Sequence, residues 1–158
     1  PGELCCQGFL LMKGYYKNPE ATRAQIDSEG WLHTGDLAIM DDDGYFRITG
    51  RLKDMIIRGG ENIYPVEIGN LLTTHPKVSA AQVIGVPDKV LGEELCAWVK
   101  LMPGESATED ELKEFCKTKI AYFKIPKYIK FVDEFPTTAS GKVRKEEMRR
   151  ISTEESSL

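Results

Sequence analysis

The sequence predicts an α+β protein. A β-rich stretch of short strands and turns covers residues 1–50, and a three-stranded sheet with flanking helices covers 51–158. Three observations carry this reading. Over 1–50 the apolar runs are brief and separated by turn clusters such as Asp27-Ser28-Glu29-Gly30 and Asp41-Asp42-Asp43-Gly44, as short β elements are. After Gly50, helix starts appear at Pro65 and at Thr108-Glu109-Asp110-Glu111, where Thr108 can cap and Glu111 can complete a capping box. Between those starts, Val78–Val86 and Glu94–Leu101 are nearly unbroken apolar runs of strand length.

In chain order, Gly2–Gly14 places two apolar segments around Gln7-Gly8 and predicts a β-hairpin. Pro19–Ile26 predicts a short helix. Trp31–Met40 predicts a strand with a corner at Gly35-Asp36, returning through Tyr45–Gly50. Pro65–Leu72 is a helix that His75-Pro76 stops. Val78–Val86 and Glu94–Leu101 pair across a loop, Pro87–Glu93. The helix after Thr108 sets Leu112, Phe115, Cys116 and Ile120 on one face. Tyr128–Val132 is the third strand, Pro136–Ser140 a loop, Val143–Ile151 a short basic helix, and Ser152–Leu158 a frayed tail. The change of pattern near Gly50–Lys53 marks a domain boundary, with 1–50 too poor in apolar residues to close a core alone.

At 158 residues, 41% of them hydrophobic, the chain can bury a core. A formal net charge of −4 argues against a nucleic-acid partner. No apolar run approaches the ~20 residues of a membrane span. The chain opens Pro-Gly-Glu-Leu, with neither a basic n-region nor an apolar h-region, and is expected to be a piece of a longer polypeptide. The four cysteines, Cys5, Cys6, Cys96 and Cys116, form no C-x-x-C pair. That pattern favours the cytoplasm or another reducing compartment, with Cys116 a small core residue. His33 and His75 have no metal-ligand spacing partner, so no metal site is expected. Lys113–Lys130 and Lys142–Arg150 are locally basic, suited either to a phosphate-bearing small molecule or to a solvated face.

Four groups of residues could carry chemistry. The carboxylate of Asp36 in Thr34-Gly35-Asp36 can accept hydrogen bonds from a vicinal diol, or can cap its own turn. Arg51 can reach the same diol or a phosphate, or can pair with Asp36 or Asp54. Lys53 is a candidate pivot or a plain exposed lysine. Gly59 and Gly60, in Arg58-Gly59-Gly60-Glu61-Asn62, would let a narrow ligand pass close to the backbone. They would equally serve a tight strand-to-helix turn. Ser140-Gly141-Lys142 is not a Walker loop, because Val143 follows the lysine. It leaves Lys142 on a polar loop, able to bring one positive charge to a developing anion or to remain a solvent lysine.

In this order and spacing, Thr34-Gly35-Asp36, Gly50-Arg51-x-Lys53-Asp54, Gly59-Gly60-Glu61-Asn62-Ile63-Tyr64-Pro65-x-Glu67 and Ser140-Gly141-Lys142 closely resemble the adenylate-forming superfamily. Lys53–Pro65 is most similar to the medium- and long-chain fatty acyl-CoA synthetase branch. The resemblance implies that residues 51–158 form a small mobile C-terminal lid with a hinge near 51–54. Residues 1–50 would be the β-rich end of a larger N-terminal adenylation domain. It further implies an acid–thiol ligase in which a carboxylic acid and ATP with magnesium give an acyl-adenylate and pyrophosphate. The lid then rotates and CoA attacks.

On this resemblance Asp36 and Arg51 would bind the AMP ribose, and Lys142 would bridge the carboxylate and the α-phosphate. Lys53 would be the hinge, and Gly59-Gly60 would line the path of the CoA pantetheine. The family's acyl pocket and phosphate loop have no counterpart in the chain. The expected partner is therefore the missing N-terminal domain, and the fragment alone is expected to be inactive and to hold no cofactor tightly. Other carboxylate or aryl-CoA ligases, other adenylating enzymes, and a non-catalytic nucleotide- or CoA-binding docking module remain as alternatives.

Overall fold

The computed structural model describes residues 1–156 and is α+β. Its contacts divide it into two compact units, Pro1–Lys53 and Asp54 onward. Among the described residues no helix is long and apolar enough to cross a membrane.

The first unit is a three-stranded antiparallel sheet in the order β1 (Gly2–Cys6), β2 (Leu32–Met40), β3 (Phe46–Arg51), with one helix, α1 (Pro19–Gln25). Asn18 caps α1 by accepting from the Ala21 amide at 3.0 Å, and Pro19 begins it. The hairpin expected over Gly2–Gly14 does not form. The edge of β1 is taken by β2, with Cys6 opposite Leu32 and Glu3 opposite Leu37, and residues 9–13 make no strand. The apolar run that suggested a second arm is exposed instead, Phe9 at 97% and Leu10 at 88%. The Asp41–Gly44 turn does join β2 to β3, with the Asp41 carboxylate accepting from the amides of Asp43 and Tyr45.

Among the described residues the second unit has five strands rather than three. They are β4 (Ile56–Arg58), β5 (Glu61–Ile63), β6 (Val78–Asp88), β7 (Gly92–Leu101) and β8 (Tyr128–Phe131). The order is β5-β4-β7-β6, and β8 runs parallel to β7. The two additional strands come from the Gly59-Gly60 stretch. Both glycines have positive φ, +58° and +89°, so they form the two-residue turn of a hairpin rather than a strand-to-helix bend. Strands of three residues are too short to show an alternation in sequence. The expected Pro87–Glu93 loop is also shorter, because pairing continues to Asp88 opposite Gly92.

Three helices flank this sheet: α2 (Pro65–Thr73), α3 (Glu109–Lys117) and α4 (Lys145–Ser156). Alternation along the strands gives the sheet two interiors. Val83, Leu95, Ala97 and Val99 join Ile56, Ile68 and Leu72, with Leu112 and Cys116 of α3. Ile84, Val86, Cys96 and Trp98 face Met148 of α4. Thr108 caps α3 through the Glu111 amide at 3.1 Å, as its sequence predicts. The tail expected to fray from Ser152 is instead helical through Ser156. The Ser152 hydroxyl is buried and accepts from the Trp98 indole at 2.9 Å. Ser157 and Leu158, the rest of that tail, lie outside the described residues.

Candidate functional site

In the first unit the fold brings Asp36 and Arg51 together. They are register partners on β2 and β3, and Arg51 Nε donates to Asp36 Oδ1 at 2.8 Å. Gly35 has φ +72° and turns the corner that precedes Asp36. That corner is fastened from both sides. The Gly35 amide donates to Glu3 at 3.0 Å, and the Asp36 amide donates to the Thr34 hydroxyl at 3.1 Å. The Arg51 side chain is exposed and that of Asp36 partly so. Among the described residues the site thus offers a carboxylate with a lone pair to spare beside a guanidinium with N–H groups that no other side chain takes. Such a pair can receive a vicinal diol, and it is also the ion pair that the plainer reading of Arg51 expects.

Next to this corner His33 sits between two carboxylates, Glu3 at 2.9 Å on Nδ1 and Asp27 at 3.2 Å on Nε2. Those hydrogen bonds raise the His33 pKa above its ordinary value. Glu3, Cys5 and His33 bring ligand-type atoms within 4.8 Å of one another. Sequence spacing could not show this grouping, because β1 delivers Glu3 and Cys5 to a histidine some thirty positions away. Here the Glu3 carboxylate is engaged by the His33 ring and the Gly35 amide.

In the second unit Lys142 ends a turn that closes on itself. The Thr138 amide donates to the Lys142 carbonyl at 2.8 Å, and the Gly141 amide to the Thr138 carbonyl at 2.9 Å. The Lys142 amide donates to the Thr138 hydroxyl at 3.1 Å. Gly141, at φ +79°, supplies the left-handed step. The Lys142 side chain is exposed, and its ammonium makes no bond or ion pair among the described residues.

Most cations of the two basic runs are neutralised. Lys113, Lys117, Lys124, Lys127 and Lys130 pair with Glu109, Glu114, Glu67, Asp88 and Glu155. Arg150 pairs with Glu147 and Glu154. The basic runs read from sequence are therefore largely solvated ion pairs rather than a phosphate surface.

Lys53 is exposed in a 3-10 turn, Leu52–Asp54, and its ammonium is likewise unpaired among the described residues. Asp54 beside it is buried, and takes Lys145 Nζ at 2.9 Å and Arg149 at 3.5 Å. Burial pushes the Asp54 carboxyl up, but the Lys145 hydrogen bond and the two cations outweigh it and hold the pKa below its ordinary value. The first residue of the second unit is thereby fastened to α4, three residues beyond Lys142.

Gly59 and Gly60 form the tip of the β4–β5 hairpin and are exposed. Residues that sequence reasoning passed over hold this tip: the Gly59 amide donates to the Leu91 carbonyl at 2.9 Å, and the side chains of Glu93 and Glu94 reach Ile57 and Arg58. Two signals could have exposed them. Gly85 interrupts the apolar strand Val83–Val86, which marks a close approach. Glu94 opens an otherwise apolar strand, where an acid needs a partner.

Residues 67–142 match the AMP-binding enzyme C-terminal domain, and the match ends on Lys142. Over most of its length the chain is a close homologue of acyl-CoA synthetases. It is 60% identical over 153 residues to the putative acyl-CoA synthetase YngI of Bacillus subtilis (strain 168), covering 97% of this chain and 28% of that protein. It is 52% identical over 149 residues to the mitochondrial medium-chain acyl-CoA ligase ACSF2 of Rattus norvegicus, covering 94% and 24%. The ATP-bound crystal structure of MatB from Rhodopseudomonas palustris superposes with a TM-score of 0.83 at 38% identity, covering 88% of this chain and 28% of that one. The chain thus spans about a quarter of the length of the curated relatives it matches.

Proposed function

We propose that the chain works as the C-terminal part of an AMP-forming acyl-CoA synthetase. That enzyme would convert a fatty acid, ATP and CoA into acyl-CoA, AMP and pyrophosphate. In the first half-reaction the acid's carboxylate attacks the α-phosphorus of magnesium-bound ATP and pyrophosphate leaves. In the second, the CoA sulfur attacks the acyl carbon of the acyl-adenylate and AMP leaves. The similarity to medium-chain acyl-CoA ligases over nearly the whole chain supports a fatty acid as the acid.

The observation that carries the reading is Lys142. Its ammonium is exposed and unpaired among the described residues, while Lys145, Arg149 and Arg150 around it are tied to carboxylates. A free cation on a closed turn can meet charge that develops at the α-phosphate. Asp36 and Arg51 would hold the AMP ribose hydroxyls. Lys53, where the contacts divide the chain, would be the pivot of a lid, and Gly59-Gly60 would receive the pantetheine after it turns. The isolated chain is expected to release no pyrophosphate, because its 158 residues hold no counterpart of the family's phosphate loop or acyl pocket.

The test is Lys142→Ala in the full-length protein, with the half-reactions measured separately. Pyrophosphate release should fall by roughly 10²-fold or more, while thioester formation from preformed acyl-adenylate is retained. If neither step changes, Lys142 is a solvent lysine and the chain a docking module.

A further inference from the structure

The β4–β5 hairpin is anchored at its base by Ile56 and Ile63 in the core, and has little else of its own to hold its tip. Its strands are three residues each, and it joins the rest of the sheet through one register pair, Arg58 opposite Gly92. A two-stranded hairpin of that size is marginal in water. The start of β7 and the turn before it hold it in place. The Ile57 amide donates to Glu93 Oε2 at 2.7 Å. Arg58 Nε donates to Glu94 Oε1 at 2.5 Å. Leu91 contributes a carbonyl to the Gly59 amide, and its Cδ2 would lie 3.2 Å from a Cβ at Gly59. The turn that carries Leu91 is itself fixed, since Asp88 Oδ1 accepts from the amides of Val90 and Leu91 at 2.9 and 3.0 Å.

Two features show that this is more than ordinary sheet packing. Glu94 is 1% exposed, and a buried ion pair is no better for stability than well-packed apolar side chains of the same volume. Its return is a fixed geometry at Arg58, one residue before the turn. In addition, Gly85 of β6 makes room for the Glu93 carboxylate. A Cβ there would sit 2.6 Å from Glu93 Oε1, closer than real contacts allow.

We infer that Glu93 and Glu94 are positioning residues for thioester formation: they lock the hairpin so that the Gly59-Gly60 backbone meets the CoA pantetheine in one geometry. The inference rests on the reading of Gly59-Gly60 given above. Neither glutamate touches the reacting atoms. Each acts through the hairpin, so loosening either should slow the second half-reaction and spare the first.

The experiment uses the full-length protein, with pyrophosphate release and thioester formation from preformed acyl-adenylate followed separately. Glu94→Gln, Glu93→Ala and Gly85→Ala should each slow thioester formation by roughly tenfold or more and raise KM for CoA, with pyrophosphate release maintained. Glu93→Gln keeps an acceptor for the Ile57 amide and should lose less than Glu93→Ala. Gly85→Ala displaces the same carboxylate from the other side, so the result does not depend on Glu94→Gln folding. Equal loss in both half-reactions, or loss in neither, overturns the inference. Gly60→Asn separates the layers. If it slows thioester formation while the glutamate and Gly85 variants do not, the positioning role alone falls. If it leaves thioester formation intact, the placement of CoA at this turn falls, and the inference with it.

Discussion

Two of the glycine-containing turns of the second unit are built in opposite ways. The Gly59-Gly60 turn is pinned from outside by Leu91, Glu93 and Glu94. The Gly141-Lys142 turn is closed by bonds within its own loop, through Thr138 among others, and its ammonium is unpaired among the described residues. On the proposed function, the difference follows from what each would present. A backbone surface that must fit a narrow chain works only if it is stiff, because small misplacements are costly. A charge on a four-carbon stem needs only a fixed base. Here that base is α4, which Asp54 grips through Lys145 and Arg149.

Four substitutions would break or sharpen this contrast. Ile56→Ala, in the hairpin strand and 1% exposed, should cost about 2–4 kcal/mol in denaturant unfolding. A cost below about 1 kcal/mol would mean the hairpin is not part of the core. Asp54→Ala leaves two cations around an emptied site and should cost about 2–3 kcal/mol at neutral pH. The folded Asp54 carboxyl lies below its ordinary value of 3.8, so its contribution is present above that pH and is lost as pH falls through the lower folded value. Unfolding curves of wild type and Asp54→Ala should therefore converge in acid, and a gap that persists there would assign the effect to packing. Gly59→Ala puts a side chain at φ +58° and 3.2 Å from Leu91, at about 1–2 kcal/mol. Lys142→Met should move stability by no more than about 0.5 kcal/mol. A larger change would show that the lysine is structural.

Local features were legible in the sequence where chemistry and conformation coincide. Pro19, Pro65 and Thr108-x-x-Glu111 begin helices as read, and Asp41–Gly44 turns a hairpin. Pairings between distant segments were not. The partner of β1 lies some thirty residues on, and the Phe9–Met12 run that imitated a strand is left outside the sheet. The short arms of the β4–β5 hairpin gave no period. At the candidate site the residue types were readable, but not which charges stay free. Lys142 and Lys130 look alike in sequence, yet Lys130 is held by Glu155 and stacks over Trp98 at 4.6 Å. The partners of Asp54 lie 91 and 95 residues away, and only the fold brings them to it.

The sheet of the second unit has one interior on each face, and adjacent residues of β7 divide between them. Trp98 belongs to one and Val99 to the other. Substitutions in one interior meet few side chains of the other, so their effects should add rather than compound. Over generations the α4 face, and with it the reach of Lys142, can be retuned while the face under α2 and α3 keeps its inherited packing.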